Sequence, residues 1–171
     1  MTTMGGRLES EDDWFVIAEI GVNHGNSMEL AKEMVKQAAA GGASAAKFQT
    51  YKASKLAIRD SPAYWDTSKE PAENQHELFS RFDHFEQPDY AELAQVAKEH
   101  GIEFMSTAFD LDSLEWIDPL VGMHKIASAD ITNIPLIRAI AAKGKPVCLS
   151  TGAAAYSEIE NAVGELRAGG V

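Results

Sequence analysis

Ala43-Ser44-Ala45-Ala46-Lys47-Phe48-Gln49 is a run of small and apolar residues interrupted by one lysine and preceded by Gly41-Gly42. It lacks the polar–apolar alternation of a half-exposed strand. Such strands belong to parallel sheets covered by helices. Upstream, the spacing predicts a helix over Met28–Ala40, with Leu30, Met34 and Ala38 as its inner stripe. Asn26 is placed to cap it, with Glu29 three residues on, and the glycine pair stops it. Further upstream, Trp14–Glu19 is a continuous apolar run that ends in a carboxylate and meets the turn-rich stretch Gly21–Ser27. Downstream, Thr50–Asn74 is polar and holds Pro62, Tyr64, Trp65 and Pro71. It is too long for a plain connection and reads as a functional loop.

The pattern then repeats. A short helix fits Gln75–Arg81, and Pro88 opens another with Tyr90, Leu93, Val96 and Ala97 inward and Gly101 at its end. Strand Ile102–Ser106, a short helix near Asp112–Ile117 and strand Met123–Ala127 follow. Asn133 and Pro135 start a helix running to about Lys143, and Pro146–Leu149 is the fifth strand. Ser157 with Glu160 forms a capping box for a last helix ending at Gly169-Gly170. These are five βα units of an α/β protein. A doubly wound sheet and a (β/α) barrel both satisfy the pattern.

The chain of 171 residues is long enough for one domain with a real core, read as residues 14–171 after an N-terminal tail of residues 1–13. A net charge of -11 argues against nucleic acid and against an anionic membrane surface as partners. It also means that an anionic substrate must be drawn in by local positive charge. Cys148 is the single cysteine, so no intramolecular disulfide forms, and its apolar strand marks it as a packed, inert thiol. The first seven residues lack the apolar stretch of a signal peptide, and no run spans a bilayer. A cytoplasmic location is the expectation.

In a parallel α/β fold, ligands sit outside the carboxyl ends of the strands. The polar residues there are Glu19, Lys47, Gln49, Ser106, Thr107, Lys125, Ser128, Ser150 and Thr151. A lysine is rarely buried without a partner. Lys47 and Lys125, each inside a strand, together with hydroxyls, make a pocket for phosphate or carboxylate. One such residue alone would be a snorkelling lysine or a strand-ending hydroxyl. A set drawn from five strands favours a site. Glu19 can pair with Lys47 and still serve catalysis, since an active-site carboxylate needs an orienting cation. Asp110 and Asp130 lie just past strand ends, where either binds a sugar hydroxyl or caps a loop. The histidines at 24, 76, 84, 100 and 124 show no metal-ligand spacing, and no Gly-rich phosphate loop or nucleophile elbow is present.

Five segments carry a resemblance: Ile-Ala-Glu-Ile-Gly-Val-Asn-His-Gly (17–25), Ala-Lys-Phe-Gln-Thr (46–50), Phe-Met-Ser-Thr-Ala-Phe-Asp (104–110), Lys-Ile-Ala-Ser-Ala-Asp-Ile-Thr-Asn-Ile-Pro-Leu (125–136) and Gly-Lys-Pro-Val-Cys-Leu-Ser-Thr-Gly (144–152). Together they resemble the N-acetylneuraminate (sialic acid) synthase family, which includes legionaminate and pseudaminate synthases and spore-coat polysaccharide relatives. The resemblance implies a (β/α)8 TIM-barrel transferase. It would condense phosphoenolpyruvate with an open-chain N-acetylated hexosamine, usually N-acetylmannosamine, to a nine-carbon nonulosonic acid and phosphate. By the same resemblance Lys47, Thr107, Lys125, Ser128 and Ser150 hold phosphoenolpyruvate, Glu19 is catalytic, and Gln49 touches the sugar. A divalent metal, Mn or Mg, polarises the sugar aldehyde in the family. Its histidine ligands fall on later strands, so none is expected here. Full-length relatives are expected to be homodimers in which an antifreeze-like domain completes the neighbour's site.

Departures sit at Ala108, Ala129 and Ala153, where the family often carries Pro, Gly and Met; they alter loop geometry and leave the site side chains in place. A whole barrel needs about 250 residues. The expectation is therefore an N-terminal part, inactive alone, whose open edges at strands 1 and 5 favour self-association. Three rivals stand beside this reading. One is a class I aldolase using Lys47 or Lys125 as a Schiff base. Another is a different phosphoenolpyruvate-condensing barrel. The third is a non-catalytic fragment that binds an anion or a partner.

Overall fold

The computed structural model describes residues 14–171, so the expected tail over residues 1–13 lies outside the described residues. Five strands form one parallel sheet in the order β1 (Ile17–Gly21), β2 (Ala45–Thr50), β3 (Glu103–Ala108), β4 (His124–Ile126) and β5 (Val147–Leu149). The helices are α1 (Met28–Ala40), α2 (Ala53–Leu56), α3 (Gln75–Ser80), α4 (Gln87–Glu99), α5 (Leu111–Ile117), α6 (Ile134–Ala141) and α7 (Tyr156–Ala168).

Strand order decides between the two candidate folds. A doubly wound sheet reverses direction at a switch point and places helices on both faces. Here the order is strictly sequential, and right-handed crossovers then put every connecting helix on one side. The side chains agree. Ala46, Phe48 and Phe104 point into a core shared with α1 and α4, while Ala108, Ile126, Val147 and Leu149 point into one shared with α6 and α7. The opposite face carries Ile17, Ala45, Met105, Met123 and Cys148. These residues alternate with the helix-facing set at a period of two, as the pleat requires. The described residues form a (β/α) barrel type with five βα units and edges at β1 and β5.

Element positions follow the sequence expectation closely, and the differences have physical reasons. β1 starts three residues later than expected, and Trp14 is exposed. α1 spans Met28–Ala40 as expected, but its cap is Ser27, whose hydroxyl accepts from the Leu30 N–H at 3.2 Å. Asn26 instead takes a left-handed backbone (φ 63°) and donates to the Arg81 carbonyl at 2.6 Å. The inner stripe of α1 is rotated: Ala31 and Val35 are fully buried, Met34 and Ala38 flank them, and Leu30 is exposed. Small residues let the helix sit close to the sheet, which moves the contact line off Leu30. α7 begins at Tyr156, capped by the Glu158 carboxylate accepting from the Ala155 N–H at 2.7 Å, and not at Ser157 with Glu160. At its far end Gly169 lies against Ala141 with no room for a Cβ.

The long segment after β2 is tied down. Lys52 donates to the carbonyls of Asp83 and Phe85 and pairs with Glu86, and Asp83 accepts from the Ala53 N–H at 2.8 Å. A bridge between Pro62 and Asn74 closes it further on, and Gln75 donates to the Pro62 carbonyl at 2.9 Å. No helix among the described residues is long and apolar enough to cross a membrane.

Candidate functional site

The helix-free face of the sheet has a layered composition. Its lower layer is apolar: Ile17, Ala45, Met105, Met123 and Cys148. Two residues further along each strand, on the same face, stand Glu19, Lys47, Thr107, Lys125 and Ser150. The next step up brings Gly21 and Gln49. Polar side chains thus begin where each strand nears its carboxyl end, and the sheet registers bring them side by side. Glu19 pairs with Lys47 across β1 and β2, Gln49 with Thr107 across β2 and β3, and Thr107 with Lys125 across β3 and β4.

Lys47 is buried, at 6% exposure, and its ammonium forms an ion pair with the carboxylate of Glu19, which itself remains half exposed. Lys125 donates to the Ser150 hydroxyl at 2.6 Å and to the Ile126 carbonyl at 2.6 Å. Burial pushes the Lys125 amine below the usual lysine range, and Lys47 pushes the same way, while Cys148 and Glu19 oppose. Two cations therefore share one concave face and feel each other, which is the condition for capturing a multiply charged anion. Thr107 is buried on the strand between them, in register with Lys125 and Gln49. Ser128 lies on the turn after β4, and a Cβ on Gly152 would stand 3.5 Å from its hydroxyl, so the loops after β4 and β5 meet there. Gly21 plays the same part on the other side: a Cβ there would stand 3.5 Å from Glu19 Oε1 and 3.7 Å from Gln49 Nε2. Its positive φ of 58° and this close approach suit glycine.

All seven expected site residues thus lie at the strand carboxyl ends of one sheet. Ser106, from the wider strand-end set, does not join them. It faces the helices and shares a buried hydrogen bond with Thr50 at 2.7 Å. Thr151 is exposed beyond β5. Cys148 is packed, as expected, but on the face that carries Lys125, its register partner. Asp110 resolves as a cap: its carboxylate accepts from the N–H groups of Asp112 and Ser113 and from the Ser113 hydroxyl.

Asp130 behaves otherwise. Its Oδ1 accepts a long bond from Asn133 at 3.4 Å, and its Oδ2 is buried without a protein partner. Burial raises its carboxyl above the usual range. It lines a cavity of about 480 Å³ that opens from Gln49 toward Tyr51, Phe79 and Phe109. That aromatic wall escaped sequence reading because its members come from a loop, a short helix and a strand end. Tyr90, buried beneath, donates to the Gln49 carbonyl at 3.1 Å and fixes that residue's backbone; burial pushes its phenol up to about 12, so it stays neutral.

His24 and His124 are buried and engaged elsewhere. His24 stacks on Phe85 at 4.4 Å and accepts from the Asn26 N–H, and His124 bonds Asp118 at 3.1 Å on the helix side. Among the described residues no three His, Cys, Asp or Glu side chains converge on a point that suits a metal ion. The face therefore offers cations, hydroxyls, an amide and two carboxylates, groups that can hold an anion and hydrogen-bond hydroxyls.

A family model described as the NeuB family matches residues 34–171. The N,N'-diacetyllegionaminic acid synthase of Legionella pneumophila is 38% identical over 152 residues, covering 87% of this chain and 42% of that protein. Human N-acetylneuraminate-9-phosphate synthase is 34% identical over 139 residues, covering 81% of this chain and 39% of its own. The crystal structure of N-acetylneuraminic acid synthetase from Leptospira borgpetersenii, in complex with citrate, superposes with a TM-score of 0.79 at 35% identity, over 91% of this chain and 50% of that one. A 3-deoxy-D-arabino-heptulosonate 7-phosphate synthase from Thermotoga maritima shares the fold at 16% identity, with a TM-score of 0.62. The chain spans less than half the length of the curated relatives named here.

Proposed function

Because this chain belongs to the NeuB family of sialic-acid and other nonulosonic-acid synthases, we propose that its strand-end face is the anion-holding part of a synthase site. That site joins phosphoenolpyruvate to an N-acetylated hexosamine. The observation that carries the reading is the pair of inward lysines, Lys47 and Lys125, set on one face with Thr107 and Ser150 beside them.

Phosphoenolpyruvate carries up to three negative charges, and an acidic protein must concentrate cations to hold it. Lys125 and Ser150 are already oriented toward each other, so little rearrangement is needed to present both to a phosphate or carboxylate. In the reaction, the enol carbon forms a bond to the sugar aldehyde carbon, and the C=O pair moves onto the aldehyde oxygen, which takes up a proton to become a hydroxyl. The neighbouring carbon becomes an oxocarbenium centre and takes up water, and its bond to the phosphate oxygen then breaks. Glu19 is suited to stabilise that cation and to accept the water proton, because Lys47 orients it. Gln49, next to Glu19 across Gly21, is suited to hold a sugar hydroxyl. The family resemblance also implies a divalent metal. The described residues do not gather a ligand set for one, and every step above uses this chain's own groups.

In this reading the 171-residue chain binds phosphoenolpyruvate without turning it over, since the sheet is open at both edges. Calorimetric titration with phosphoenolpyruvate, and a phosphate-release assay with N-acetylmannosamine, test both statements. Absence of binding removes the anion site, and steady phosphate release removes the inactivity.

One observation favours a second reading. The lowered basicity of Lys125 suits a Schiff-base nucleophile. Borohydride trapping with pyruvate separates the two: the condensation reading expects no adduct at Lys125.

A further inference from the structure

Ser106 lies one step along the pleat from Thr107, and Thr50 one step from Gln49. The pleat turns both hydroxyls to the helix side of the sheet, where they meet at 2.7 Å. Both residues are buried. A third hydroxyl joins them from α4. Tyr90, also buried, donates to the Gln49 carbonyl at 3.1 Å. Burial raises its phenol, and the Thr50 hydroxyl beside it opposes. The three sit against a core built of Ala46, Phe48, Phe85, Leu93 and Phe104.

Such a core has no need of hydroxyls for its stability. Two buried partners replaced together by apolar groups of the same shape leave a protein about as stable as before. What a hydrogen-bonded pair adds is direction. The sheet register sets Phe48 opposite Ser106 and Thr50 opposite Ala108. The bond from Thr50 to Ser106 therefore runs diagonally across the ladder and resists sliding of one strand end past the other. The Phe109 N–H prolongs the ladder by donating to the Thr50 carbonyl at 3.1 Å. On the other side β1 stops at Gly21, opposite Phe48, so β2 runs on past it. Tyr90 holds that extension from α4. The opposite face of the same two strand ends carries Gln49 and Thr107, paired in register, with Lys125 next to Thr107. A shift at either strand end reaches them directly, and a binding site tolerates a displacement of only about half an ångström.

We propose that Thr50, Ser106 and Tyr90 are positioning residues: a buried hydroxyl brace that fixes the register at which Thr107 meets the anion and Gln49 stands beside it. The inference rests on the anion-holding reading of the opposite face and adds the groups that hold that face in place. None of the three touches the ligand in it. Thr50 and Ser106 act through the peptide bonds they share with Gln49 and Thr107, and Tyr90 acts on the carbonyl of Gln49 itself. Removing the brace therefore costs affinity and little stability, the reverse of what a packing role gives.

The test compares the 171-residue chain with three variants. Thr50→Val with Ser106→Ala removes both hydroxyls and leaves neither unpaired; Thr50→Ser keeps the bond; Tyr90→Phe removes the third donor. Calorimetry gives the affinity for phosphoenolpyruvate, urea melts the stability, and amide hydrogen exchange the order of the strand ends. The double variant should melt close to the wild-type midpoint and bind phosphoenolpyruvate at least about tenfold more weakly. Its Thr107 and Phe109 amides should exchange about tenfold faster, with Ala45, Ala46 and Lys47 unchanged. Thr50→Ser should behave as the wild type does. Tyr90→Phe should shift the amide of Thr50, whose peptide unit carries the Gln49 carbonyl, and weaken binding severalfold. Wild-type affinity in the double variant overturns the proposal, and wild-type affinity in Tyr90→Phe removes Tyr90 from the brace. A loss of affinity matched by a lowered midpoint, and shared by Thr50→Ser, overturns it too, since the pair is then packing alone. If the wild-type chain binds no phosphoenolpyruvate, the anion reading falls by itself. Exchange at Thr107 and Phe109 then decides the brace: faster rates in the double variant support it, and unchanged rates overturn it.

Discussion

Lys125→Met separates a residue kept for binding from one kept for stability. The Lys125 ammonium makes two 2.6 Å bonds, to Ser150 and to the Ile126 carbonyl, and its basicity is lowered first by burial and then by Lys47. A lysine whose folded pKa lies below its unfolded value costs stability while protonated. That cost is present at neutral pH and fades as pH rises from the folded value toward the unfolded one. Methionine removes the cost and keeps the stem packing, while two hydrogen bonds are lost. The terms oppose, so the expected change in unfolding free energy at pH 7 is within about 1 kcal/mol of zero. Binding has no such compensation. Losing a charged donor to an anion is worth about 1.5–3 kcal/mol, or roughly a ten- to hundredfold weaker affinity for phosphoenolpyruvate. Calorimetric titration and thermal unfolding on the same samples measure both. Raising pH above the folded value of Lys125 should weaken phosphoenolpyruvate binding by the wild type and leave the methionine variant's affinity unchanged. A variant that binds as the wild type does, or one that unfolds with a loss of several kcal/mol, refutes the assignment of Lys125 to the anion.

Glu19→Gln should raise phosphoenolpyruvate affinity severalfold, because a carboxylate facing the anion disappears and Lys47 is released; calorimetry checks this, and in an assembled synthase turnover should fall about a hundredfold or more. Asp118 is a second target: burial acts to raise its carboxyl, but Lys145, His124 and Lys143 together outweigh it and hold it below the usual range. Asp118→Asn should therefore cost about 1 kcal/mol at neutral pH, after allowing for solvent screening. The depressed carboxyl contributes above its unfolded pKa and loses that contribution as pH falls through the folded one, so urea melts of variant and wild type should converge in acid. Ala153 has φ 60°, a left-handed conformation costly for any residue with a Cβ, and Ala153→Gly should stabilise by about 1 kcal/mol in the same melts. Gly169→Ala should cost about 1–3 kcal/mol, because its methyl would press on Ala141 where α7 meets α6.

The strands and the two lysines were legible because burial on both faces leaves a local mark: an apolar run in which one charge stands out. The face assignments were legible where the period of two could be followed, which is why Lys47, Gln49 and Lys125 fall where the pattern puts them. Ser106 shows the limit of that logic. It is a strand-end hydroxyl like Thr107, yet one step along the pleat turns it toward Thr50 and the helices. Counting strand-end polarity without parity admits it wrongly. The cap of α1 failed for a related reason: Asn26 and Ser27 are both good caps, and the choice fell to Arg81, whose carbonyl draws Asn26 away from a distance of 55 residues in sequence. The aromatic chamber was beyond local reading altogether, since Tyr51, Phe79 and Phe109 meet only after the segment between β2 and α4 folds back over the strand ends. The chain is acidic throughout, and what sets the site apart is the withdrawal of acid from its centre. Glu19 stands there held by Lys47, and Asp130 lies further out, on the cavity that Gln49 also lines. Within the proposed reading Lys47 both orients Glu19 and meets the anion. Glu19→Gln, which keeps both lysines and removes the proposed base, is then the variant in which binding and turnover come apart.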